Sequence, residues 1–182
     1  MALLTLEQAK AQLDIDSGVD DVELQAYVDS LTAVIERFVG PVENRTVTEV
    51  ADGRAAIALT QVPVVSLTSL TPLMTGGVAV GTDEVFVDGD SGVVRRRDGG
   101  AFVGGPWTAV YEAGRGEVPP TINLAARILL QHLWRTQYGA SRVPAAGADD
   151  WSVNEPVPGF GYAIPNRVLQ LLEPFKVPPG VA

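Results

Sequence analysis

The chain has 182 residues, 46% of them apolar, enough for one domain with a hydrophobic core or one domain carrying a sizeable insertion. It has no cysteine and one histidine, which excludes disulfides, thiolate metal sites, cysteine nucleophiles and multi-histidine metal centres. The net charge is −9; with lysine only at Lys10 and Lys176, a phosphate-gripping, sequence-reading DNA surface is disfavoured.

The charge is uneven. Residues 1–52 hold 11 acids against 3 bases, residues 53–118 hold 7 against 5, and residues 119–182 hold 4 against 5. An acidic front half and a neutral-to-basic back half suit contacts between neighbouring copies. No apolar run reaches the roughly 18 residues a bilayer span needs, and the start lacks the basic-then-apolar pattern of a secretory signal. Cytoplasmic synthesis with no membrane association is the expectation.

In chain order, Thr5 and Gln8 form a capping box for a first short helix. Asp20 and Glu23 repeat the device for a longer one, which Gly40-Pro41 stops. Val22, Leu24, Tyr27, Val28, Leu31, Val34, Ile35 and Phe38 are read as its buried stripe. From Thr46 to Tyr111 the period changes to two, which predicts an antiparallel β unit. Thr46–Val50 and Ala55–Leu59 flank Asp52-Gly53, a hairpin signal. Further strands are predicted at Val64–Leu70, Glu84–Val87, Val93–Arg96 and Trp107–Tyr111. A third helix follows Val118-Pro119-Pro120, with a stripe of Ile122, Ala125, Ala126, Leu129, Leu130 and Leu133, and ends at Gly139. Ala125 and Ala126 permit close approach of another helix, and the second helix is the expected partner. Beyond it the chain is proline-punctuated yet rich in aromatic and aliphatic residues, with one short helix at Asn166–Glu173.

These elements define an α+β fold: a small helical bundle of three main helices, an inserted antiparallel β unit and an extended C-terminal tail. The expected divisions are 1–42 with 113–140 for the helical core, 43–112 for the β unit, and 141–182 for the tail.

Candidate chemistry is sparse. Asp14-x-Asp16-Ser17-Gly18-x-Asp20 resembles an ion-binding loop, but an EF-hand needs glycine at its sixth position and glutamate at its twelfth. The chain has Val19 and Gln25 there, so the segment reads as an acidic turn. Asp88-Gly89-Asp90-Ser91-Gly92 reads as a hairpin turn rather than an ion site. Arg95-Arg96-Arg97 is the basic cluster, read as a solvated strand end or a contact to an acidic partner. His132 reads as a packing residue, and Gly114-Arg115-Gly116 as a turn. No nucleophile elbow or phosphate loop is present, and neither a catalytic site nor a cofactor is expected.

Three stretches together resemble the head-tail connector, or head-to-tail adaptor, proteins of tailed bacteriophages, specifically siphophage members with a β insertion. They are Leu4 to Phe38, Tyr111-Glu112-Ala113-Gly114 leading into the prolyl helix as far as Trp134, and Gly161-Tyr162-Ala163-Ile164-Pro165-Asn166-Arg167-Val168 with Leu171-Leu172-Glu173-Pro174. Their order is the signal, since each is made mostly of capping, turn and core residues. The resemblance implies a structural virion protein, made in the bacterial host cytoplasm. It would form a ring of about twelve copies under the portal that extends the DNA channel and joins capsid to tail. Implied partners are the portal protein, neighbouring copies, a stopper or tail-terminator protein, and DNA as non-specific passage along an acidic wall.

On that reading Trp151, Phe160, Tyr162, Ile164, Leu169, Leu172 and Phe175 are expected to contact the portal, because aromatic anchors dominate interfaces. Arg95, Arg96, Arg97, Asp29 and Glu36 are expected at subunit or channel contacts. Deleting everything after Gly147 is expected to leave the core folded and abolish portal binding. The rivals are a stopper or tail-completion protein, a carbohydrate- or protein-binding β module with Trp107 and Tyr111 exposed on one strand face, and a hydrolase with two opposed carboxylates.

Overall fold

The computed structural model describes residues 3–138 and 164–177. The fold is α+β and divides into two compact units, Met1–Ile35 with Pro119–Pro174, and Glu36–Val118 with Phe175–Ala182.

In the helical unit, α1 (Leu6–Leu13) opens on the expected capping box: the Gln8 N–H donates to Thr5 Oγ1 at 3.2 Å and the Thr5 N–H to Gln8 Oε1 at 3.1 Å. Leu4 before the cap and Ala9 in the first turn are both buried, at the positions of a hydrophobic staple. Asp14 stands just past the helix in the left-handed region (φ 55°) and its N–H returns to the Lys10 carbonyl. The acidic turn therefore begins as a helix stop. The adjoining carboxylate Asp21 accepts from Lys10 Nζ at 2.7 Å.

Helix α2 (Asp21–Val39) buries Leu24, Val28, Leu31, Ile35 and Val39, one face of a 3.6-residue period. Val22, expected on this stripe, is 88% exposed. Two residues rotate about 200° around a helix, so Val22 stands opposite Leu24. Gly40 ends the helix at φ 72°, its N–H on the Glu36 carbonyl at 2.8 Å. A Cβ at Gly40 would lie 1.8 Å from the Val62 carbonyl oxygen, so glycine is required here for space as well as for φ.

Helix α3 (Pro120–Tyr138) buries Ile122, Ala125, Ala126, Leu129, Leu130 and Trp134. Its expected stop, Gly139, lies outside the described residues. The helices whose backbones come closest to α3 are α4 (Asn166–Leu172) and α1. The expectation that α2 would be the close-approach partner is thereby corrected. Large side chains separate α2 from α3, where Tyr27 meets Trp134 edge-on at 5.6 Å. α4 buries Val168 and Leu172, so this part of the tail belongs to the helical core.

The β unit holds two three-stranded antiparallel sheets. One has the order β1-β6-β3, from β1 (Arg45–Ala51), β6 (Trp107–Ala113) and β3 (Val64–Pro72). The other has the order β2-β5-β4, from β2 (Ile57–Ala58), β5 (Val93–Arg96) and β4 (Val85–Asp88). The expected β1–β2 hairpin around Asp52-Gly53 does not form. β1 pairs with β6 along its whole length, Arg45 opposite Ala113 to Ala51 opposite Trp107, while β2 pairs with β5. A seven-residue ladder outweighs a local turn signal that could zip only the two residues of β2.

The β4–β5 hairpin forms as expected. Ser91 Oγ donates to Asp88 Oδ2 at 2.6 Å, the Gly92 N–H to the Asp88 carbonyl at 2.8 Å, and Gly92 takes φ 70°. Central strand β6 alternates strictly, burying Trp107, Ala109, Tyr111 and Ala113. Around them gather Ile57, Leu70, Val94 and Phe102, the last edge-on to Trp107 at 5.8 Å.

Candidate assembly interface

Strand β5 and the turn after it split the arginine triplet. Arg96 is held within the fold: Nη2 reaches Asp98 Oδ2 at 2.7 Å and Glu84 Oε2 at 3.5 Å, and Nε donates to Asp98 Oδ1 at 3.0 Å. The Arg96 guanidinium, followed by the Gly100 N–H, holds the Asp98 carboxyl at about 2. Arg95 and Arg97 stay exposed, and Arg95 pairs in register with Phe86, itself exposed. The triplet thus contributes two outward charges beside an outward aromatic ring, not a block of three.

Of the two acids expected at contacts, Asp29 is exposed and accepts from Gln25 Nε2 at 2.8 Å. Glu36 is structural: it accepts from the Val42 N–H at 3.0 Å and from Arg45 Nη1 at 3.0 Å, bracing the turn after α2.

Trp151, Phe160 and Tyr162 lie outside the described residues. Ile164 and Leu169 are half-buried, while Leu172 is 2% exposed and occupied in its own core. Phe175 is half-buried beneath Arg115, whose guanidinium carbon lies 5.5 Å from the ring centre. Arg115, read from sequence as part of a plain turn, is the clamp of the β unit. Its Nη2 donates to the Val39 carbonyl at 2.8 Å and to the Phe175 carbonyl at 2.7 Å, tying the C-terminus of α2 to the segment after α4. Burial lowers its pKa, and Asp90 opposes that shift. The flanking turn is held by the Gly114 N–H on the Pro63 carbonyl and the Gly116 N–H on Asn44 Oδ1. Replacing Arg115 with Ala removes a charged donor from two carbonyls and should cost on the order of 2–4 kcal/mol in urea unfolding, while Lys should recover only part of it.

Trp107 and Tyr111 are fully buried, so the strand face that was to offer a sugar platform is core, and that rival reading loses its support. The Tyr111 hydroxyl accepts the Gln61 N–H at 3.0 Å, and burial pushes its pKa up to about 12. The neutral phenol is favoured in the fold, so its contribution to stability is complete below the ordinary tyrosine value of 10.0 and is lost as pH rises towards 12. The wild-type chain should lose stability over that window relative to Tyr111→Phe, checked by urea titrations from pH 9 to about pH 12.

Two surface cavities border the glycine-rich loops of the β unit, of about 530 and 710 Å³. The first is lined by a single carboxylate, Asp52, and the second by Glu84, which pairs with Arg96. Neither presents the opposed carboxylates of a hydrolase. His132 lies mid-α3 with Nε2 buried and without a hydrogen-bond partner among the described residues. Among those residues no group of three His, Asp or Glu side chains is placed to hold a metal ion, and no helix is long and apolar enough to cross a membrane. Among the exposed apolar residues are Phe86, beside Arg95 and Arg97 on the β unit, Val19 and Val22 at the acidic entrance to α2, and Val78 and Val103 on the glycine-rich loops.

A family model described as head completion protein matches residues 2–177. The fold is similar to a chain in the neck of an empty GTA particle computed with C6 symmetry, with TM-score 0.61 and 17% identity over 97% of this chain and 91% of that one. It is also similar to a chain in the neck of a native GTA particle computed with C12 symmetry, with TM-score 0.58 and 18% identity over 96% and 88% of the two chains. No curated protein sequence matches the chain.

Proposed function

The chain belongs to the head completion protein family, a head-tail connector family of tailed phages, and from that premise we propose that it is the adaptor that docks beneath the portal as a ring. It is a structural protein of the virion, and its place is the head-tail interface. The observation that carries the adaptor reading is the family match across residues 2–177 of a chain whose fold is similar to neck chains over nearly its whole length. A ring of twelve copies accords with the C12 symmetry imposed on one of those necks, and C6 is a subgroup of it.

In this reading residues 1–42 and 113–140 form the scaffold, residues 43–112 the insert that reaches neighbouring copies or the next connector, and residues 141–182 the portal-docking segment. Within that segment α4 is the anchor to the body, since Val168 and Leu172 are buried. Portal contacts fall to Trp151, Phe160 and Tyr162, assisted by Ile164, Leu169 and the exposed edge of Phe175. Subunit contacts join the acidic front of one copy to the basic surface of the next, and DNA passes a net-negative wall without being gripped. The protein performs no catalysis.

Cryo-electron microscopy of particles carrying an affinity-labelled chain tests the reading. Density is expected directly against the portal; density one layer below it would make the chain a stopper, and density at the distal tail would overturn the proposal.

A further inference from the structure

We infer that the outward face of the β2-β5-β4 sheet, centred on Phe86, Arg95 and Arg97, is the surface that receives Val19 and Val22 of a second copy of this chain. The inference rests on the ring reading above and gives its subunit interface a residue-level form.

Strand alternation produces the first surface. β4 and β5 turn Val85 and Val94 into the core, so Phe86 and Arg95, paired in register, face the other way, and Arg97 continues that row. Arg96 is occupied by Asp98 and Glu84, which leaves Arg95 and Arg97 as the cations of this face. Phe86, 53% exposed opposite Arg95, is an apolar spot flanked by Arg95 and Arg97; the Asp88 carboxylate, its pKa lowered first by the Ser91 hydroxyl, lies close enough to Arg95 to be lowered by it as well.

The second surface is its complement. Val19, in the turn before α2, and Val22, in its first turn, are 86% and 88% exposed. The surrounding stretch carries the carboxylates Asp16, Asp20, Asp21 and Glu23, which make this entrance net acidic. This is an apolar spot with an acidic rim. The two spots are both apolar, their flanking cations and carboxylates are of opposite sign, and they lie on different units of the chain. A head-to-tail contact of this kind uses two different patches on every copy and closes into a ring when its rotation permits.

Because the chain has no cysteine, introduced thiols report the contact without ambiguity. Val22→Cys protein and a size-tagged Phe86→Cys protein are mixed in equal amounts on portal-bearing heads and oxidised. The mixed disulfide should exceed both homodimers, and Val65→Cys, an exposed position on β3, should not substitute for Phe86→Cys. Adding Arg95→Glu with Arg97→Glu should cut the mixed disulfide at least about tenfold without changing the thermal melt, and Asp16→Arg in the other component should restore part of it. If the wild-type chain forms rings on heads but the mixed disulfide is not enriched, the inference falls and the ring reading stands. If the wild-type chain forms no ring, alone or on heads, both fall.

Discussion

Truncation after Gly147 should unfold the helical unit, not merely disconnect it from the portal. The deletion removes α4, whose Val168 and Leu172 are buried beside α3, and with it Phe175 and Val177 on the β unit. Burying an aliphatic side chain of this size is worth about 1.5–3 kcal/mol, so Val168 and Leu172 alone account for roughly 3–6 kcal/mol. That is a large fraction of the roughly 5–15 kcal/mol that holds a domain of this kind together. The truncated chain should therefore show a lowered urea midpoint and a smaller helical circular-dichroism signal, correcting the expectation of an intact core. An internal deletion of residues 148–162 that keeps α4, and with it Val168 and Leu172, should retain a cooperative melt and still fail to complete heads. Wild-type-like binding by that variant would remove Trp151, Phe160 and Tyr162 from the docking surface.

Trp107→Ala should cause the largest loss of any single substitution in the β unit. The indole is fully buried on the central strand, between Ala51 of β1 and Pro72 of β3 in register, and packs edge-on against Phe102. Truncating a buried tryptophan costs about 3–5 kcal/mol, combining lost transfer energy with the cavity left behind. The site has little room to collapse, since β6 is fixed by ladders on both sides. Trp107→Phe should cost distinctly less, because the ring contact with Phe102 is kept and the indole N–H has no hydrogen-bond partner among the described residues. Equilibrium urea unfolding of both variants, followed by circular dichroism, measures the difference. Equal and small losses would mean that Trp107 is not the centre of this core.

Capping and periodicity were legible from residues alone. Thr5 with Gln8, Gly40 after α2, the Asp88–Gly92 turn and the strict alternation of β6 each depend on neighbours within a few positions, and each forms as expected. Val22 misled because an apolar residue on the opposite face counts the same in composition but not in angle. Asp52-Gly53 misled because a turn signal states a local preference, while the partner of β1 depends on which ladder is longer. Arg115 gave no signal at all. Its partners are main-chain carbonyls 76 and 60 positions away, and a carbonyl is present at every residue.

The amino-acid sequence by itself determined the α+β composition, the stop of α2 at Gly40, the hairpin at Asp88–Gly92, the charge segregation and, through the order of three motifs, the connector family. Those depend on local backbone preference and on pattern, which act over a turn or two of chain. Only the tertiary structure decided that β1 joins β6, that α4 is core, that Trp107 and Tyr111 are interior, and that Arg95, Arg97, Val19 and Val22 face outward while Arg96 and Glu36 do not. Those depend on which distant surfaces exclude water together and which charges find a partner first, and such choices are made between segments, not within them.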